Sequence, residues 1–465
     1  MIRRATAICR EDLSDNFLHK SHLTSDYGPA IVYMSALKIK NGHLLALLIL
    51  LAFGIRVGMV LKFQERGLDS PPDPYMGSDH VEYNLIAKNL VQGNGYRLYN
   101  IEGPTAFRPP GTPFILAGIY KTLGVEHRNV RIVFPLIGAL TLLPLFFLAR
   151  HFVSDSYALL ACSVLAIYPP HFYYSMQMFS ETPWTFLMLC AAVSGARFFT
   201  SCHVRWGILQ GLLLGLAALT RPIALLFPVF QGALYACSIL YRERKLKPVF
   251  AKAGMIFIPF IFTLLAIAPW PIRNVMVLDK FVLFSTHGGV TLYGAHNESI
   301  LKMPDKIGRW IEPKYTPGNQ AIKDAERISK SAADAKANEL ARTFIRSHLS
   351  EMPRLTVWKV VRLIHPWPGT PNRGFNIAFA LTYGPLLPFI IAGFWILRKH
   401  PLALIPSSAL LMIFSNAFLL YGDHRFRASI APILVLAAIV GMSALINRWK
   451  TRTAAPVNDG KNGSI

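Results

Sequence analysis

Acidic side chains are scarce in this 465-residue chain: 25 Asp and Glu stand against 48 Lys and Arg. Charged residues of both signs make up 16% of the chain, where a soluble domain carries about 25%. Too little polar surface is left to coat a water-soluble particle of this length, so a soluble monomer is excluded. A hydrophobic content of 53% excludes disorder as well, except at the two ends. Cysteine is equally sparse: Cys9, Cys162, Cys190, Cys202 and Cys237 include no pair at metal-ligand spacing. Neither a disulfide framework nor a zinc site is expected from them. No glycine-rich turn follows a strand pattern, and neither a His-Glu-x-x-His motif nor a nucleophile elbow is present. A nucleotide-binding cassette, a zincin and an α/β-hydrolase are thereby set aside.

What the chain does contain is a succession of apolar runs of roughly 20 residues, each able to cross a bilayer core of about 30 Å. They begin near His43, Val130, Tyr157, Pro183, Trp206, Pro222, Val249, Phe375, Leu402 and Ala428. The fold class this predicts is an all-α polytopic membrane protein with about ten transmembrane helices and two long polar segments. The division is a polar tail over 1–42, a membrane module over 43–270 that includes a first loop at 63–128, a second loop region at 271–374, terminal spans over 375–447 and a tail over 448–465. The apolar stretch 113–123 is too short to cross and is expected at the interface or re-entrant. The stretch 320–348, rich in Ala, Lys, Asp and Glu, predicts a solvated helix.

The net charge of +23 is explained by topology rather than by nucleic acid. Arg150, Arg197, Arg205, the basic cluster at 242–247, Arg398, Lys399, Arg448 and Lys450 all follow even-numbered spans. Both termini are therefore expected in the cytoplasm and both long polar segments outside. The N-terminal stretch lacks the compact apolar core and cleavage site of a signal peptide, so the first span is expected to remain as an anchor.

Several polar residues collect at the expected outer face. Asp79, Glu82, Tyr83 and Ile86 fall on one helical face, at spacings of three, four and seven. The same Asp79 and Glu82 also fit a capping box. In Arg108-Pro109-Pro110-Gly111 two prolines fix an extended backbone beside the arginine, whose fork suits phosphate as well as ordinary snorkelling. Glu181 follows Ser180 at the outer mouth of two spans, where a carboxylate is costly unless paired or hydrated. Arg56 lies within the first span, with Asp79 or Glu181 as candidate partners. His424, Arg425 and Arg427 place positive charge in a short outer loop, against the orientation set elsewhere, which points to an anionic ligand; pairing with Asp423 is the plainer alternative. Arg221 and Arg273 stand at outer ends of spans.

In order along the chain, the first-loop acid, Tyr83, Ala87, Leu90, Gly93, Gly95 and Tyr96 resemble a known pattern. It continues through Arg108-Pro109-Pro110-Gly111, Leu148-Ala149-Arg150, Ser180-Glu181, Leu219-Thr220-Arg221-Pro222, Ala268-Pro269-Trp270 with Arg273-Asn274, and Arg425-Phe426-Arg427. The pattern is similar to the polytopic GT-C glycosyltransferases of the protein mannosyltransferase and lipid A aminoarabinose transferase type, over about residues 43–447. The resemblance implies an inverting transfer of a sugar from a polyprenyl-phosphate carrier to a lipid, glycan or protein acceptor, on the outer face of a bacterial inner membrane. Asp79 would be the general base. Glu181, Tyr83 and Arg56 would bind substrate, and Arg108, His424, Arg425, Arg427, Arg221 and Arg273 would hold phosphate. No metal ligand set is assigned, and no cofactor beyond the lipid-linked donor is implied, although a divalent metal is left open. A transporter or lipid flippase is the competing class, and a membrane scaffold built on the second loop region is a third.

Overall fold

The computed structural model describes residues 42–62, 79–98, 103–244, 247, 252–370 and 372–453. The expected N-terminal tail, residues 63–78 of the first polar segment, part of the basic cluster at 242–247 and the last twelve positions lie outside the described residues.

The chain enters through α1 (Gly42–Lys62). The first polar segment carries α2 (Asp79–Val91) and α3 (Gly111–Leu123). A run of apolar helices follows: α4 (His127–Leu140), α5 (Leu142–Ala149), α6 (Asp155–Ile167), α7 (Pro169–Ser175), α8 (Glu181–Ser201), α9 (Val204–Thr220), α10 (Leu226–Glu243), α11 (Ala253–Ile267) and α12 (Pro269–Leu278). The second polar segment folds as α13 (Gly288–Ala295), α14 (Glu298–Lys302), α15 (Asn319–Glu326), α16 (Lys330–Ser347) and α17 (Met352–Ile364). The chain closes with α18 (Arg373–Leu397), α19 (Leu404–Leu419), α20 (His424–Ser429) and α21 (Ala431–Thr453). No strand occurs among the described residues.

Among the described residues the expected apolar runs are helical. Six segments are long and apolar enough to cross a membrane by length and composition: Gly42–Lys62, His127–Ala149, Pro222–Tyr241, Ala253–Leu278, Arg373–Leu397 and Ala431–Thr451. Three more, Asp155–Ile167, Val204–Thr220 and Leu404–Leu419, are apolar but shorter. This is a multi-pass membrane architecture. Its outer helices show bare apolar flanks: on α1, Leu47, Leu50, Leu51 and Ile55 are exposed, while the opposite stripe Leu45, Ala52, Arg56, Val60 faces inward. In lipid such flanks meet acyl chains, so burial against protein is not required of them.

The centre of the bundle is α21, on which residues 431–440 are all buried. A helix apolar all round belongs in the middle. It meets α18 through small residues. A β-carbon on Gly393 would stand 1.8 Å from the Ala437 carbonyl oxygen, and one on Gly441 would stand 2.2 Å from that of Phe389. Backbones that close require glycine, the usual device where lipid offers no hydrophobic drive to bring helices together.

The short apolar stretch expected at the interface is the helix α3. The solvated helix expected over 320–348 is two helices instead of one. The chain breaks after Glu326, and the Ser329 hydroxyl accepts from the Ala332 amide at 3.0 Å, capping α16 afresh. An N-cap serine satisfies an amide that a continuous helix would have paired internally, so it favours a new start. Cys162, Cys190 and Cys237 are free as expected, whereas Cys202 is disulfide-bonded, contrary to the reading from spacing.

Candidate active site

The site is assembled from five separate stretches of chain. Asp79 is the first residue of α2, so its carboxylate sits where the helix dipole favours negative charge. The inner face of α2 fixes its aim: Tyr83 and Ala87 pack with Leu116, Ile119 and Tyr120 of α3 and with Val130 and Phe134 of α4. The Tyr120 hydroxyl donates to Asn84 Oδ1 at 2.6 Å. Arg108 precedes a proline pair and is steered by its own carbonyl, which accepts from the Tyr96 hydroxyl at 2.8 Å. The motif's glycine has a steric reason. A β-carbon on Gly111 would lie 2.5 Å from Thr220 Oγ1, at the end of α9. That close approach brings the Arg108 loop beside Arg221.

Arg221 leaves α9 with an extended backbone (φ −141°) because Pro222 follows and disfavours a helical residue before it. Glu181 opens α8, and Thr182 beside it donates to the Tyr174 carbonyl at 2.9 Å, which fixes the corner. Arg425 lies in α20, whose cap, Asp423, accepts from the Arg425 amide at 2.7 Å.

These residues converge into an alternating chain of charge. Arg108 pairs with Glu82 and, at 2.8 Å, with one oxygen of Asp79. The other oxygen of Asp79 takes Arg425 at 2.8 Å. Arg425 also pairs with Glu181, and Glu181 takes Arg221 at 2.6 Å. The order is Glu82, Arg108, Asp79, Arg425, Glu181, Arg221: three carboxylates and three guanidiniums. The Glu181 side chain is only 2% exposed. A buried charge in such a place is tolerable only when paired on this pattern. Aromatic faces line the cations: Tyr83 and Phe107 beside Arg108, Phe179 beside Arg425, and Phe426 beside Arg221. Burial would push the Asp79 carboxyl up, but the Arg108 and Arg425 guanidiniums outweigh it and hold it well below the usual carboxylate range.

Of the residues singled out in the sequence, Asp79, Tyr83, Arg108, Glu181, Arg221 and Arg425 come together here. Four others are placed differently. Arg427 turns away from the chain of charge and donates to the carbonyls of Leu363 and His365, at 3.1 and 2.8 Å, at the end of α17. Its guanidinium lies 3.7 Å from the centre of the Tyr383 ring. The i, i+2 spacing in so short a helix sends the two arginines to different neighbours. Arg273 donates to the carbonyl of Thr105 and to Asn274, with the Tyr96 and Trp270 rings beside its guanidinium. Arg56 meets neither Asp79 nor Glu181; it is fully buried and donates to Ser175 Oγ and to its own helix at the Ala52 carbonyl, both at 2.9 Å. His424 pairs with Asp423 at 3.0 Å, edge-on to Phe375 and Phe379.

Glu82 was read on one helical face with Asp79 and as half of a capping box, and its place on Arg108 required the fold. His287 carried no signal in the sequence at all. It lies edge-on to Phe107, ring centres 4.8 Å apart, within electrostatic reach of Asp79 and Arg108. Among the described residues no group of three or more His, Cys, Asp and Glu side chains is arranged to hold a metal ion.

Residues 107–270 match the family model described as dolichyl-phosphate-mannose-protein mannosyltransferase. No curated protein matches the chain. Among solved structures it is similar to the oligosaccharyltransferase of Archaeoglobus fulgidus in the apo form, with 14% identity and a TM-score of 0.51, over 88% of this chain and 51% of that one. ArnT from Cupriavidus metallidurans bound to undecaprenyl phosphate is also similar, with 14% identity and a TM-score of 0.38, over 86% of this chain and 77% of that one. The chain thus spans about half the length of the archaeal enzyme. The archaeal likeness extends across nearly the whole chain and the family match covers its middle. The helical fold is similar to that of the archaeal oligosaccharyltransferase.

Proposed function

We propose that this protein transfers a sugar from a polyprenyl-phosphate carrier to a hydroxyl-bearing acceptor at the outer edge of the membrane, with Asp79 as general base. The observation that carries the reading is the pairing of Asp79 with two different guanidiniums, one from the first polar segment and one from the far end of the chain. The family match, to enzymes named for a dolichyl-phosphate sugar, supports the carrier class.

In the arrangement described, Asp79 is too well paired to accept a proton readily. An arriving phosphate changes that. It competes for Arg108 and Arg425, draws their charge off the carboxylate and lets its proton affinity rise. The acceptor hydroxyl then gives its proton to Asp79 while its oxygen attacks the anomeric carbon. The bond from that carbon to the phosphate oxygen breaks, and the electron pair leaves on the lipid phosphate. Attack opposite the leaving group inverts the sugar carbon. The charge that develops on the phosphate is met by guanidiniums already in place, so a separate general acid is unnecessary. Glu181 anchors Arg425 and Arg221 and stands ready to orient a sugar hydroxyl. Arg56, the intramembrane cation that a transport pathway would have used, is enclosed by protein and held by Ser175, which favours surface chemistry over passage.

The test is mass spectrometry of the envelope from cells lacking the protein. One sugar-bearing product should be missing, the wild-type gene should restore it, and Asp79→Asn, inserted at the same level, should not. Normal product from that variant removes Asp79 from the chemistry.

A further inference from the structure

His287 belongs to the second polar segment, yet it is fastened over the Arg108 loop. Three side chains of α12 and its approach hold the chain there. Trp270 Nε1 donates to the Phe284 carbonyl at 2.7 Å and Asn274 to that of Val282 at 2.8 Å. Arg273 holds the other side through the Thr105 carbonyl. One backbone bond, from the Thr286 amide to the Ala106 carbonyl at 2.8 Å, joins the two stretches directly. The His287 carbonyl is engaged by Thr291, through its amide and its hydroxyl, so the residue cannot swing with a loose loop.

The ring itself is left with chemistry to do. Nδ1 is shut off from solvent and has no hydrogen-bond partner among the described residues. An unpaired ring nitrogen at a place held this firmly is costly unless something arrives to pair with it. Burial, reinforced by Arg108, lowers the imidazole to about 3, so the ring is neutral at ordinary pH. A neutral imidazole pairs with a hydroxyl and gives no charge to a phosphate.

Building on the transfer reaction proposed above, we infer that His287 contacts substrate: its Nδ1 pairs with a sugar or acceptor hydroxyl at the edge of the site formed by the Arg108 loop. The motif around Trp270 and Arg273 then serves to position this histidine and binds no phosphate itself.

Two variants and two readouts test it. His287→Phe keeps a flat ring and removes the nitrogen; His287→Asn sets an amide atom near the position of Nδ1. In cells lacking the native gene, the phenylalanine variant should restore about tenfold less product than wild type, and the asparagine variant should recover most of that loss. Binding of undecaprenyl phosphate to the purified proteins should stay within about twofold of wild type in both. Full product from His287→Phe overturns the inference, as does an asparagine variant no better than the phenylalanine one. A loss of undecaprenyl phosphate affinity as large as the loss of product would make His287 part of the clamp and also overturn it. If the wild-type gene restores no product and the wild-type protein fails to bind undecaprenyl phosphate, the transfer reaction itself fails and this inference falls with it.

Discussion

The charged mouth of the bundle and the folded part of the second polar segment both bury cations, by opposite means. At the mouth, Arg108, Arg221 and Arg425 are met by carboxylates. In the second segment Lys359, 2% exposed, sets its ammonium 2.8 Å from the ring of His296, and Arg427 of α20 reaches to backbone carbonyls at the end of that segment's α17, beside an aromatic ring. Neutral acceptors suffice where a cation only joins helices. At the mouth three carboxylates, Asp79, Glu82 and Glu181, do the pairing. A guanidinium held by a carboxylate remains charged, aimed and exchangeable, while one tied to carbonyls is committed to the fold.

The contrast can be broken most severely at Arg425. Arg425→Ala strips a partner from both Asp79 and Glu181, so the fold should lose about 3–5 kcal/mol. Product in the envelope should fall by about a hundredfold or more. Thermal unfolding in detergent and mass spectrometry read the two effects, and a stable, active variant would refute the assignment. Asp79→Asn comes next: transfer should drop by about 10²–10⁴-fold, the range of a lost general base. Undecaprenyl phosphate should bind it as well as wild type or more tightly, because two guanidiniums are freed, and weaker binding would contradict the competition described above.

Arg427→Ala sharpens the comparison within α20. Losing the carbonyl contacts at the end of α17 should cost about 2 kcal/mol of stability. Undecaprenyl phosphate affinity should be nearly unchanged. An affinity loss equal to that of Arg425→Ala would place both arginines in one clamp. The smallest effect is expected at Lys359, which burial lowers to about 8. Between that value and the ordinary lysine value of about 10.4 the unfolded chain holds a proton that the folded chain lacks, so stability should rise as pH goes from 8 to 10. Lys359→Met should lack that rise in unfolding temperature, and identical curves for the two proteins would show that the ammonium is not buried as described.

Much of the fold was legible because membrane spans announce themselves one segment at a time. A run of apolar residues needs no partner to be recognised, and α1, α18 and α21 fall close to their expected limits. The solvated helix over 320–348 was harder, since only the cap at Ser329 decides that it restarts. In the site, Arg108 and Arg425 were legible as cations out of place, but Arg273, Arg427 and Arg56 looked the same and serve other ends. An arginine at the end of a span reads alike whether it will meet a carboxylate, a carbonyl or an aromatic face. Glu82 was visible on the Asp79 face, but its partner was not, because a helical face is local and its ion pair with Arg108 is not.

From composition and order alone, then, come the membrane class, the helical runs and the small set of polar residues from which a reaction centre could be drawn. These depend on solvation, which each segment meets by itself. Which arginine reaches which acid, and that His287 is fastened over the Arg108 loop, depend on contacts between stretches hundreds of residues apart. Only the packed bundle fixes those distances, because the energy of a charge pair is set by ångströms and by the water excluded around it.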